Sequence, residues 1–173
     1  MIIKKYGDHA PQLHPSVRAA ENAAIVGNVT MEKDVSVWYS AVVRGEMDSV
    51  TVGAGTNIQD NVVIHCDAGS PVKIGKNVTI GHGAIVHSCT VGDNCMIGMG
   101  AILLSGCKIG DGAIVGGGAV VSGNLEVPPN TLAVGLPAKV LKPVSQTQKE
   151  YMALDVEEYI TMAKNQLDSV GEE

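Results

Sequence analysis

The chain of 173 residues has no phenylalanine, a single tryptophan and four tyrosines, so aromatic residues make up only 3% of it. A core without large rings must be filled by small and branched aliphatic side chains in thin, uniform layers. Positive charge is scarce too. Twelve Lys and Arg stand against 18 Asp and Glu, a formal net charge of −6. That balance argues against nucleic acid or an anionic membrane surface as the main partner. No run of about 18 apolar residues occurs, so no membrane span is expected. The N-terminal "MIIKKYGDHAP" is too short in its apolar part, and too interrupted by charge, to be a secretory signal. A cytoplasmic location is the default expectation. None of the four cysteines (Cys66, Cys89, Cys95, Cys107) forms a C-x-x-C pair. In a reducing compartment they are expected to be free thiols.

Glycine, by contrast, is abundant at 21 residues, and the aliphatic residues recur with a period of six. From Val91 the register is unbroken through "VGDNCM", "IGMGAI", "LLSGCK", "IGDGAI", "VGGGAV", "VSGNLE" and "VPPNTL". Aliphatic residues occupy position i at Val91, Ile97, Leu103, Ile109, Val115, Val121 and Val127. Position i+4 holds Cys95, Ala101, Cys107, Ala113, Ala119, Leu125 and Thr131. Upstream hexads fall into groups of three, with interruptions expected at Ser49–Thr51 and Ser70–Lys73. Such a period predicts a parallel β-helix with three hexads per coil, in which i and i+4 point inward. Glycine and asparagine serve the corners, and successive coils stack at roughly 4.8 Å. Cys95 and Cys107 fall on inward slots and read as small core residues rather than catalytic ones.

The tail breaks the period. Between residues 145 and 169, Met152, Val156, Tyr159, Ala163 and Leu167 recur at helical spacing, and Ser145 with Gln148 forms a capping-box start. The fold class expected is therefore all-β. A single-chain β-helix of hexapeptide repeats spans 1–143, and a C-terminal α-helix in 144–173 packs on its outside in a structural role.

This register places the histidines. His65 follows the inward Ile64 and His87 follows the inward Val86, so the two occupy equivalent places one coil apart. Stacking brings such residues within about 5–6 Å at Cα, suitable for two ligands of one metal. His82 lies two residues after Ile80, on a different face, and cannot complete the set within one chain. In a three-fold assembly it could join the pair of a neighbouring chain. The plainer alternative is a set of solvated surface histidines. His9 and His14 precede the repeat and have no partners. Arg44 and Glu46 fall one coil before His65, and Gln59 and Asp60 one coil before His82. They read either as rim ion pairs of little energetic weight or as a desolvated network at a subunit interface.

At these residues the chain resembles the γ-class carbonic anhydrases and their bacterial relatives, which are left-handed β-helix trimers. The matching stretches are "VSVWYSAVVRGE", "GTNIQDNVVIHCD", "VTIGHGAIVHSCTVGDNCMIGMGAILL" and "GLPAKVLKPV", and the resemblance covers about residues 10–143 plus the helical tail. The resemblance implies a homotrimer with His65, His82 and His87 as metal ligands, His82 coming from the neighbouring subunit. The metal implied is Zn2+, with Fe2+ or Co2+ as possible substitutes. Gln59 would orient the reacting water or bicarbonate, and Arg44 and Asp60 would join the interface ion pairs. Glu46 stands where the family more commonly has Asp. The activity implied is reversible hydration of CO2 to bicarbonate by a metal-bound hydroxide at the trimer interface. The acidic loop residues that shuttle protons in founding members are missing, since "MDSVTVG" has no glutamate and "DAGSPVKIG" only Asp67.

Two further readings stay open. A hexapeptide acyltransferase or thioesterase acting on an acyl-CoA would use His87 as base, and "GLPAKVLKPV" resembles the C-terminal exit of such enzymes. A non-catalytic assembly protein would keep the metal for cohesion alone.

Overall fold

The computed structural model describes residues 1–171. Short strands recur once per face of a three-sided coil. One face is a parallel ladder of seven, from Arg18–Ala19 through Ser36–Val37, Asn57–Ile58, Thr79–Ile80, Met96–Ile97 and Ile114–Val115 to Thr131–Val134. Thr90 pairs with Lys108 and Lys108 with Glu126, so each coil there takes three hexads, as the period implies. The chain is thus a parallel β-helix of about seven coils with one C-terminal helix.

Every aliphatic residue at position i from Val91 to Val127 is buried, and so are Cys95, Ala101, Cys107, Ala113 and Ala119 at i+4. Leu125 and Thr131 are only partly covered, because they lie in the last coil and no further coil stacks on them. The corners are columns of left-handed residues. Asn94, Gly100, Gly106, Gly112, Gly118, Asn124 and Asn130, all at i+3, have positive φ, a conformation that glycine and asparagine adopt at least cost. The four cysteines are unpaired and buried.

The interruptions lie slightly earlier than the period suggests. The ladder shifts register between Gly27 and Val29, which oppose Gly45 and Val50. Further on, Asp67 and Ser70 bridge a tight loop. Val50, Thr51, Val72 and Lys73 are paired ladder residues. The hexad count passes over Val50 and Val72, yet both are fully buried. They take the inward places that Met47 and Ala68, both exposed, would otherwise fill. Burial of a branched side chain decides the register, and the extra residues are expelled to the corner.

Helix α1 spans Gln146–Gln166, capped by Ser145, and the capping box with Gln148 is present. Its 21 residues extend about 31 Å. The six steps between seven coils cover about 29 Å, so the helix matches the height of the stack. It lies against the seven-stranded face and buries Met152, Val156 and Ala163. Trp38 and Tyr159 meet edge to face at 5.4 Å. Ser36, Asn57 and Thr79 point away from the coil interior, next to the inward Val37, Ile58 and Ile80, yet they are buried. The same column continues as Met96, Ile114 and Leu132, packed with Met152 and Val144. After the helix the chain returns to the first coil. Asp168–Ser169 pairs antiparallel with Arg18–Ala19, and the Arg18 Nη1 donates to the Leu167 carbonyl at 2.9 Å. Among the described residues no helix is long and apolar enough to cross a membrane.

Candidate metal centre

Arg44, His65 and His87 are aligned Cα partners on successive coils. Because each follows a buried aliphatic residue, each side chain leaves the coil on the same outer face. His65 Nδ1 and His87 Nε2 lie 3.1 Å apart, with ring centroids 5.2 Å apart. The far nitrogens are also engaged. His87 Nδ1 is 3.0 Å from Ser105 Oγ, and the Ser105 hydroxyl donates to Asp67 Oδ2 at 3.2 Å. His65 Nε2 is 3.4 Å from Glu46 Oε1.

The Ser105 contact assigns the His87 tautomer. Ser105 donates its hydroxyl hydrogen bond to Asp67, so its oxygen accepts from His87 Nδ1–H. Glu46 Oε1 approaches His65 Nε2 at 3.4 Å as a charged neighbour. With Nδ1 of His87 protonated, its Nε2 presents a lone pair to His65 Nδ1 at 3.1 Å, a separation that a shared proton or a cation between them satisfies. The imidazole of His65 is held below its ordinary pKa, first by burial, then by the Arg44 guanidinium and by His87, against a smaller opposing effect of Asp67. Neutral imidazoles are what a metal needs. Two ligand nitrogens on a tetrahedral zinc stand about 3.4 Å apart, close to the separation found. The donor set therefore fits a divalent metal.

Arg44 and Glu46 form an ion pair beside His65. The second carboxylate oxygen, Glu46 Oε2, is buried without a hydrogen-bond partner, an unfavourable state for a charged group that calls for a further donor.

His82 lies at the corner that follows Thr79–Ile80, outside both flanking strands. Glycines on both sides place it there. A Cβ on Gly81 would come within 2.7 Å of the Met99 amide nitrogen, and Gly83 takes φ +69° to turn the corner. His82 Nδ1 is 2.8 Å from Asp60 Oδ2, whose other oxygen accepts from the Tyr39 amide at 3.1 Å. The His82 amide donates to Gln59 Oε1 at 3.1 Å. The Nδ1 edge of the ring thus faces a carboxylate, on a side chain 45% exposed.

The structure thus groups Arg44, Glu46, His65 and His87 on one face, and Gln59, Asp60 and His82 on the adjacent corner. Among the described residues, the cluster able to hold a metal within one chain is His65, Asp67 and His87, with ligand atoms within 4.8 Å of one another. Asp67 Oδ2 lies 3.6 Å from His87 Nδ1 and accepts from the Ser105 hydroxyl that meets the same nitrogen, so it helps to orient that imidazole.

Sequence reasoning missed Ser105, Asn57, Thr79 and Asp155. Asn57 Nδ2 donates to Thr79 Oγ1 at 3.0 Å, and the Thr79 hydroxyl donates to Asp155 Oδ2 at 2.6 Å. The available signal was polar residues in the outward column that a C-terminal helix was expected to cover, since buried polar groups there need partners.

Residues 88–123 match the family model for the bacterial transferase hexapeptide (six repeats). A probable carbonic anhydrase of Methanocaldococcus jannaschii is 45% identical over 86% of this chain and 94% of its own length. The mitochondrial γ-carbonic anhydrase 2 of Arabidopsis thaliana is 36% identical over 91% of this chain, which spans 59% of that protein. Among solved structures, a putative acetyltransferase of Bacillus cereus superposes with a TM-score of 0.92 at 34% identity, covering 95% of both chains. With identity of this order across nearly the whole β-helix, and an aligned histidine pair on its outer face, the chain belongs to the γ-class carbonic anhydrase-like family of hexapeptide-repeat proteins.

Proposed function

We propose that the protein is a metal-dependent hydratase interconverting CO2 and bicarbonate, with its site completed between copies in a homotrimer. The observation that carries this reading is the pair of facing imidazole nitrogens, His65 Nδ1 and His87 Nε2, 3.1 Å apart. His65 and His87 of one chain, with His82 of the partner subunit, would hold the metal, Zn2+ or Fe2+. A metal so held supplies Lewis acidity and lowers the pKa of coordinated water to about 7.

The chain's own residues do the rest. Ser105 and Asp67 fix the His87 tautomer, and Asp60 faces the Nδ1 edge of His82. Gln59 is buried and has one amide hydrogen beyond its bond to Asn57, with which it would orient water or bicarbonate. The Arg44–Glu46 pair would meet a neighbouring subunit, where the unpartnered Glu46 Oε2 would find its donor. Support for a second copy on this face comes from the apolar column beside the histidines. Val42, Val63, Ile85, Ile102 and Val120 are in register there, and Val63 and Ile85 are exposed, as an interface core would require. Measurement of metal content, oligomeric mass and stopped-flow CO2 hydration on one preparation tests the reading. Full metal occupancy with only the buffer rate would sink it.

A second reading is favoured by the solved relative described as a putative acetyltransferase. His87, oriented by Ser105 and Asp67, would then be a general base toward an acyl-CoA. Acyl transfer that survives metal removal would select this reading. Metal without either activity would leave a cohesive role.

A further inference from the structure

The Gln59 amide belongs to a chain of four hydrogen bonds that runs in one direction. The His82 N–H donates to Gln59 Oε1 at 3.1 Å, and Gln59 Nε2 donates to Asn57 Oδ1 at 3.1 Å. Asn57 Nδ2 donates to Thr79 Oγ1 at 3.0 Å, and the Thr79 hydroxyl donates to Asp155 Oδ2 at 2.6 Å. Asn57, Gln59 and Thr79 are all at least 95% buried, so water offers them little alternative. Each intermediate group could act either way round, because an amide can flip and a hydroxyl can rotate. The two ends cannot. A backbone N–H only donates, and an ionised carboxylate only accepts. Placed at opposite ends, they admit a single polarity for everything between them.

We propose that Asp155, on α1, is a positioning residue for the reaction site: through Thr79 and Asn57 it holds the Gln59 amide in the one orientation that satisfies the His82 N–H. The functional part rests on the hydratase reading, in which Gln59 orients the reacting species. The helix then does more than cover the β-helix. It carries the acceptor that terminates the relay. Without that acceptor the Thr79 hydroxyl is free to rotate, the Asn57–Thr79 bond loses its fixed direction, and Gln59 is held from the His82 end only. Bonds in such a chain polarise one another, so loss of one end weakens the others.

The test uses the full-length 15N-labelled protein with Thr79→Val, Thr79→Ser and Asp155→Ala. Side-chain NH2 signals of Asn57 and Gln59, and their hydrogen exchange, are read in the metal-free protein. kcat and KM for CO2 hydration are read after metal loading. Thr79→Ser keeps the hydroxyl and is expected to leave signals and kinetics unchanged. Thr79→Val and Asp155→Ala are expected to move both NH2 pairs and speed their exchange. They should also lower kcat about tenfold, the scale on which supporting hydrogen bonds act, with metal content and oligomeric mass retained. Unmoved signals in both variants would overturn the relay. Moved signals with unchanged kcat would overturn the positioning role. If the unmutated protein shows no CO2 hydration, the hydratase reading fails separately, and the metal-free spectra still decide whether Asp155 holds the Gln59 amide. Asp155→Ala sits on a partly exposed helix position, so it reports even where Thr79→Val impairs folding.

Discussion

His65 Nδ1 and His87 Nε2 face each other across 3.1 Å, each ring turned by a carboxylate or hydroxyl on its far side. Removal of either ring should empty the site. His65→Ala and His87→Ala are expected to reduce bound metal from about one per chain to a trace and to abolish hydration, with the β-helix intact by circular dichroism. Plasma emission analysis of the purified variants decides it, and retention of stoichiometric metal in both would exclude this pair as ligands.

Division of the ligands between chains has a sharper consequence. His65→Ala and His82→Ala proteins should each be inactive alone. Mixed by co-refolding, they should regain about one quarter of the wild-type sites, because random assembly joins an intact pair to an intact His82 that often in a closed ring. If all three ligands came from one chain, mixing would restore nothing.

Ser105 holds the His87 Nδ1 at 3.0 Å and donates its hydroxyl hydrogen bond to Asp67. Ser105→Ala should weaken metal binding about tenfold while leaving the fold unchanged. Competition with a chelator of known affinity measures this, and an unaltered dissociation constant would remove Ser105 from the site.

Tyr159 is pushed up to about 12, chiefly by burial and then by Asp155 and Asp60. The folded protein keeps this proton at pH values where the unfolded chain, with its phenol near 10, has released it. Stability from Tyr159 is therefore full below pH 10 and declines as pH rises from 10 to 12. Ultraviolet titration should show a phenol ionising at about 12 that disappears in Tyr159→Phe. The thermal midpoint of that variant should fall less steeply across the same window.

The core tolerates no shrinkage. Ile97 is fully buried between Ile80 and Val115 in its column, so Ile97→Ala should cost about 2–5 kcal/mol, read as a lowered thermal midpoint. A change below 1 kcal/mol would mean that neighbouring coils collapse into the gap.

Much of this architecture was legible in the residue order because the hexad has few solutions. Val91 to Val127 fix the inward column by burial alone, and the corner column follows from glycine and asparagine. The equivalence of His65 and His87 followed from that register without any knowledge of distance. Two things were not legible. The interruptions were misplaced by a few residues, because Val50 and Val72 are aliphatic in any frame and only packing selects which one counts. The relay from Asp155 to Gln59 joins residues 76 apart in sequence at its longest link. No spacing rule encodes which turn of a helix comes to rest against which coil.

The return of the tail to its starting coil, where Ser169 Oγ donates to the Pro15 carbonyl at 2.7 Å, makes the helix a ruler for the stack. Helix rise and coil spacing imply that adding or deleting one coil demands about three residues of compensating helix. Repeat number is ordinarily free to drift in a solenoid. Here a tie-rod fastened at both ends counts the coils, and the two lengths can change only together.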